Sequence, residues 1–127
     1  MSEKGYKKLK VWEKANEYTL AVYKITEKFP REELYGVTSQ LRRASLSVAL
    51  HIVEGQASSS KKDFLNFLNI SNRSLVESEY LLEFCRDLGI LTDSDYQFLE
   101  TKRHETGLLL SAFSRGMRAS SSCSCST

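Results

Sequence analysis

Helix breakers are scarce in this sequence, and their positions cut it into four long segments. The one proline is Pro30, and Gly36, Gly55 and Gly89 part the rest into stretches too long for strands. No segment shows the two-residue alternation of a half-buried strand. Helix 1 is predicted from about Tyr6 to Lys28, with Trp12, Ala15, Asn16, Thr19, Tyr23 and Thr26 on one stripe at helical spacing. Phe29 ends it, because the residue before a proline avoids the helical region. Pro30, followed by Arg31, Glu32 and Glu33, opens a short extra turn.

Helix 2 is predicted from about Thr38 to Glu54, with Gly55 as the residue that stops it. Helix 3 follows Ser60, where Ser60-x-x-Asp63 reads as a capping box, and runs to Leu88. Gly89-Ile90 fits a Schellman ending. Its core stripe is Phe64, Phe67, Leu68, Ser71, Leu75, Ser78, Leu82 and Cys85. Helix 4 opens at Thr92, with Asp93 and Asp95 in its first turn, and runs to about Arg115; Tyr96, Leu99, Arg103, Thr106, Leu110 and Phe113 share a face. The connections are short enough for antiparallel neighbours. The predicted architecture is all-α, an up-down-up-down four-helix bundle over residues 1–118. A Ser- and Cys-rich tail, 119–127, is expected to be disordered.

No run of about 18 apolar residues exists, and the lysine-rich start has no apolar core of a secretory signal, so no membrane partner is expected. Cys85 lies alone in a helical stretch, and Cys123 and Cys125 sit in the tail. That odd number fits no disulfide framework or zinc knuckle, so a reducing cytoplasm is the expected home. The formal charge of +2 permits an acidic partner without demanding one.

Helix 2 carries more apolar surface than one bundle needs. Leu41, Ala44, Val48 and Ile52 form one stripe, and Leu46, Ala49, Leu50 and Val53 a second. Leu65, Val76, Tyr80 and Phe84 lie off the helix 3 stripe, and Val11, Tyr18, Val22, Ile25 and Phe29 off that of helix 1. A thick core with scattered surface apolars is one account. The preferred one is a subunit interface, because large contiguous patches are rare on monomers. The polar remainder of helix 2, Gln40, Arg43, Ser47, His51 and Glu54, lines up along one edge. Arg42 sits beside the apolar half, where burial without a partner is costly. Glu54, Glu77, Glu79 and Glu83 are candidate partners, and a bound phosphate is the alternative.

The string Gln40-Leu41-Arg42-Arg43-Ala44, then Ser47, then His51-Ile52-Val53-Glu54-Gly55, resembles a family of bacterial four-helix-bundle proteins. Some of that family are encoded in intervening sequences of large-subunit ribosomal RNA genes. Leu9-Lys10-Val11-Trp12 looks like the family's opening, Phe29-Pro30 with Tyr35-Gly36 like its first hinge, and Phe67-Leu68 with Ser71, Ser74, Glu77 and Glu79 like its third helix. His51 and Val53 depart from the usual Asn and Ala. The resemblance implies a homopentamer. It also implies distant kinship with accessory variability determinants of diversity-generating retroelements, which bind a reverse transcriptase and nucleic acid. Trp12, Gln40, Arg42, Arg43, Ser47, His51, Glu54, Gly55 and Glu77 are the expected structural or interface motif.

Three functions are weighed. The first is a non-catalytic scaffold that binds RNA or DNA through a basic surface, with Lys7, Lys8, Lys10, Lys14, Lys61, Lys62 and Arg115 as candidate phosphate contacts. A solvated helix face accounts for the same charges, since 18 basic residues stand against 16 acidic ones. The second is a protein-binding adaptor anchored by exposed aromatics, for example for a reverse transcriptase. The third is an enzyme, which fares worst. His51-x-x-Glu54 is a lone pair where a bundle metal site recruits more carboxylates, and neither His51 nor His104 stands beside a nucleophile motif. No metal or cofactor is expected, and no phosphate loop is present.

Overall fold

A computed structural model describes residues 5–125, with the side chains of residues 5–120. After a 3₁₀ turn at Gly5–Lys8 come α1 (Lys10–Thr26), a second 3₁₀ turn at Arg31–Glu33, α2 (Val37–Ala57), α3 (Lys61–Leu88) and α4 (Asp93–Cys125). No strand occurs among the described residues. Each helix packs on two others: α2 on α1 and α3, and α4 on α1 and α3. Their directions follow from side-chain pairs. Lys14 meets Glu105 while Lys28 meets Asp95, so α1 and α4 run antiparallel. Phe64 meets Phe113 while Arg86 covers Tyr96, so α3 and α4 do as well. The expected up-down-up-down bundle is the result.

The local signals at the third helix act as predicted. Ser60 Oγ accepts from the Asp63 amide at 3.1 Å. At the other end Gly89 takes the left-handed φ of 88°, its amide reaches the Arg86 carbonyl, and the Ile90 amide reaches that of Cys85, the two bonds of a Schellman ending. Thr92 Oγ1 caps α4 by accepting from Asp95 N. Two predicted endings fail. Gly55 does not stop α2 but lies buried inside it, because Phe64 and Phe67 of α3 press on its Cα. The backbone of α4 continues past Arg118 to Cys125, across most of the segment expected to be a disordered tail. Residues 126 and 127 lie outside the described residues.

The largest correction concerns α1. Val11, Tyr18, Val22, Ile25 and Phe29, read above as surplus, are the core, and all are under a tenth exposed. Of the stripe predicted to be buried, Tyr23 is 38% exposed and Trp12 and Asn16 are half-buried. Thr19 and Thr26 mark the edge turned toward α2, where their hydroxyls reach the Ala15 and Val22 carbonyls and so tolerate burial. On α2, α3 and α4 the predicted stripes largely hold: Leu41, Ala44, Val48, Ile52, Leu68, Leu75, Leu82, Leu99 and Leu110 are fully or nearly fully buried. Of the predicted surplus on α2 and α3, two sets stay exposed. Leu46 and Leu50 stand half-exposed a turn apart on the outer side of α2, and Val76, Tyr80 and Phe84 do so on α3.

Candidate functional site

Antiparallel packing gathers residues far apart in sequence at one end of the bundle. The start of α1, the end of α2, the start of α3 and the late part of α4 share that end. Lys8 to Val11 border Leu109, Ala112 and Phe113, and Lys61 borders Phe113 and Met117. Lys7, Lys8, Lys10, Lys61, Lys62, Arg115 and Arg118 are exposed there, against Glu13, Glu54 and Asp63. At the opposite end the sign reverses: Glu27, Glu32, Glu33, Glu83, Asp87, Asp93 and Asp95 outnumber Lys24, Lys28, Arg31 and Arg86. A chain of nearly balanced composition thus carries its charge as two opposed poles.

Not every predicted phosphate contact is equally free. Lys14 lies between Glu105 at 3.2 Å and Glu17 at 3.6 Å, and the bond to Glu105 raises its pKa above the ordinary lysine value. It belongs to the α1–α4 seam more than to the basic pole. Lys10 leans on Glu13 at 3.8 Å, an exposed pair of little strength. Lys61 Nζ donates to Ser120 Oγ, tying the start of α3 to α4. Among the described residues Arg115 makes no ion pair, nor does Arg118, one turn further on. Both line a groove between α3 and α4, whose other polar walls are Asn69, Asn72, Ser111 and Ser114. Nothing in the sequence marks those four, since neutral polar residues at helical spacing look like any wetted face.

The polar edge of α2 is a seam to α3. Gln40 Nε2 donates to Glu77 Oε2 at 3.0 Å, and Ser47 Oγ lies 2.8 Å from Ser74 Oγ. Arg42 has none of the expected carboxylate partners. Its Nε donates to Thr26 Oγ1 at 2.8 Å and its guanidinium covers the Tyr23 ring at 5.0 Å, so α1 supplies the partners. Glu77 is held by Gln40, Glu79 by Arg103, and Glu54 faces His51. Trp12 packs half-buried with its ring edge-on to Tyr6 at 5.0 Å. Arg43 is exposed at the rim of the α2–α3 seam.

Ser47, His51 and Glu54 stand one turn apart in an order that invites a nucleophile reading, yet the geometry opposes it. His51 Nδ1 lies 2.8 Å from the Ser47 carbonyl oxygen, which can only accept, so Nδ1 carries the proton. The same nitrogen is the one 3.0 Å from Ser47 Oγ, so it has no lone pair with which to draw that hydroxyl's proton. His51 Nε2 faces Glu54 at 3.9 Å. No cluster of three His, Cys, Asp or Glu side chains able to hold a metal occurs among the described residues. No described helix is long and apolar enough to cross a membrane.

Residues 7–112 match the family model described as 23S rRNA-intervening sequence protein. A crystal structure of a protein of unknown function from the S23 ribosomal protein family of Bacteroides thetaiotaomicron superposes with a TM-score of 0.77 at 24% identity. The match covers 83% of this chain and 95% of that one. At that identity the likeness speaks for the fold. No curated protein matches the sequence.

Proposed function

Because the chain belongs to the 23S rRNA-intervening sequence protein family, we propose that it works without catalysis, as a cytoplasmic homopentameric scaffold that binds nucleic acid through the basic pole of its bundle. The observation that carries this reading is the gathering of Lys7, Lys8, Lys10, Lys61, Lys62, Arg115 and Arg118 at one end. Phosphates of a nucleic acid are the polyanion such a pole suits, and contact through lysine and arginine makes binding salt-steep and tolerant of sequence. The half-exposed Leu46 and Leu50 on α2, and Val76, Tyr80 and Phe84 on α3, support self-association. They are two different patches on two different helices, and a closed ring joins unlike patches head to tail. With bundle axes side by side, such a ring sets its basic poles on one face.

Gel-shift titration with RNA and DNA at low and moderate salt tests the binding, and light scattering on the eluting protein tests the ring. The expected results are retardation that weakens steeply with salt and a mass about five times 14.5 kDa. No retardation at low salt refutes the first part, and a stable monomer the second.

A protein-binding adaptor is the second reading. It is favoured by a groove of about 440 Å³ near the acidic pole, walled by Tyr35, Val37, Tyr80 and Phe84. Tyr35 is 94% exposed, an aromatic left where a partner can reach it. A reverse transcriptase is the partner that the family resemblance suggests. A partner that survives nuclease treatment in an affinity pull-down supports the adaptor over the first reading.

A further inference from the structure

Grooves open between several pairs of helices, and they differ in chemistry. The one between α1 and α4 is mostly apolar, with Lys8 and Lys10 beside Leu9, Val11, Leu109, Ala112 and Phe113, and so is a neighbouring one where Lys61 meets Phe113 and Met117. The one between α2 and α3 contains the Glu77 carboxylate, which repels phosphate. The α3–α4 groove, about 190 Å³, holds no acid at all.

Its floor is the buried Leu68 and Leu110. Arg115 and Arg118 form one wall, three residues apart and so on one side of α4; Asn69 and Asn72 form the other, with the same spacing on α3. Ser111 and Ser114 complete it. None of these six side chains makes a hydrogen bond or ion pair with another described residue. A wall of polar groups that bond no other described residue is open to a ligand. The bundle core does not need them: Asn69, Asn72, Arg115 and Arg118 are all exposed.

We propose that this groove holds a strand of RNA, with Arg115 and Arg118 on its phosphates and Asn69 and Asn72 on its riboses. The proposal rests on the nucleic-acid reading above and narrows it to one groove and one sugar. Guanidinium is the side-chain group best matched to phosphate oxygens. A carboxamide both donates and accepts, as does a ribose 2′-hydroxyl, so the two satisfy each other. Deoxyribose leaves the amides unpaired. No aromatic ring lines the groove, so no base stacks there and the strand is gripped by its backbone.

Fluorescence anisotropy with a labelled RNA and the DNA of identical sequence, at low and moderate salt, tests this. The wild-type protein is expected to bind the RNA several-fold more tightly. Arg115→Gln with Arg118→Gln is expected to weaken both ligands about tenfold and to make the salt slope shallower by about 1.4, the loss of two single-strand phosphate contacts. Asn69→Ala with Asn72→Ala is expected to bring the RNA affinity down to that for DNA and leave DNA binding unchanged. All four residues are exposed, and circular dichroism melting checks that the variants stay folded. Wild-type binding that the arginine pair leaves unaltered overturns the groove while the basic-pole reading stands. Equal wild-type affinity for the two sugars overturns the ribose assignment alone. No wild-type binding to either at low salt overturns the nucleic-acid reading and this proposal with it.

Discussion

The Tyr18 hydroxyl donates to Ser78 Oγ at 2.9 Å, bridging α1 and α3, the diagonal pair of the bundle that shares no backbone contact. Both residues are fully buried, and Ser78 passes its own proton to the Leu75 carbonyl at 2.8 Å. The chain is complete, and its two ends are not equivalent. Removing the phenol with Tyr18→Phe still leaves Ser78 its acceptor, and a cost of about 0.5–1.5 kcal/mol is expected. Ser78→Ala strands a buried phenol and is expected to cost about 1–3 kcal/mol. Urea denaturation of the two variants checks the order, and the double variant should be less destabilised than the sum of the singles. Equal losses from the two single changes would contradict the asymmetry.

Gly55 and Gly116 both lie inside helices, and alanine should have opposite effects at the two. A Cβ on Gly55 would come within 2.6 Å of Phe64 Cδ1 and 3.1 Å of Phe67 Cβ, so α2 and α3 must part to admit it. The overpacking cost of about 1–3 kcal/mol exceeds the gain of about 1 kcal/mol in helix propensity. Gly55→Ala is expected to lower the thermal midpoint, and Phe64→Leu in the same chain to restore part of it. At Gly116 nothing lies within 4 Å, and Gly116→Ala should stabilise by about 0.5–1 kcal/mol. Thermal melts of both variants decide it, and a stabilising Gly55→Ala would sink the close-approach account.

These two glycines also show what the sequence can convey. Stops made by local chemistry, such as the Ser60 cap and the Gly89–Ile90 ending, were legible because their partners lie within six residues. Gly55 misleads because what keeps it glycine is a ring on another helix, which no local pattern records. The α1 stripe misleads for a related reason. Tyr18 hides its polar tip on Ser78 and the threonines hide theirs on helix carbonyls, so polarity and burial part company there. Lysines at positions 7, 8, 61 and 62 were visible as candidates one by one. Their union with Arg115 and Arg118 in a single pole depended on antiparallel packing. The expectation of carboxylates for Arg42 failed because its neighbours across the seam belong to α1 and not to α3.

Arg103 is only 9% exposed, and its guanidinium holds Glu100 through two hydrogen bonds, 2.8 and 2.6 Å, with Glu79 of α3 at 3.3 Å. The Glu100 bond outweighs burial and raises the arginine pKa, so the cation persists at every ordinary pH. Taking away the arginine leaves two carboxylates facing one another at the α3–α4 seam. Arg103→Met fills the space but not the charge, and because both carboxylates stay partly exposed it is expected to cost about 1–3 kcal/mol. Adding Glu100→Gln and Glu79→Gln to that variant removes the unpaired charges and should recover a good part of the loss. Denaturant midpoints across the series measure it, and a triple variant no more stable than Arg103→Met alone would show that packing, not charge, is what the arginine supplies.

Cys85 offers a pH test of the core. Its thiol is fully buried, and burial first, then the charge of Glu33, pushes its pKa up from 9.0 to about 11. Between those values the unfolded chain gives up a proton that the folded chain keeps. The folded state therefore binds more protons, and stability must fall as pH rises, by at most about 1.4 kcal/mol per pH unit. Below the ordinary thiol value both states are protonated and the effect vanishes. Burial shifts Tyr18 upward too, so its contribution has the same sign and begins at higher pH. In a background with Cys123→Ser and Cys125→Ser, urea midpoints are expected to hold level to about pH 8 and then decline. The further change Cys85→Ala should lower stability throughout, because it opens a cavity, yet flatten the decline between about pH 9 and 11. Alkylation of Cys85 in the folded protein should be far slower than in urea, because only the thiolate reacts and the folded state suppresses it. Decline of equal steepness with and without Cys85 would place the alkaline sensitivity elsewhere in the molecule.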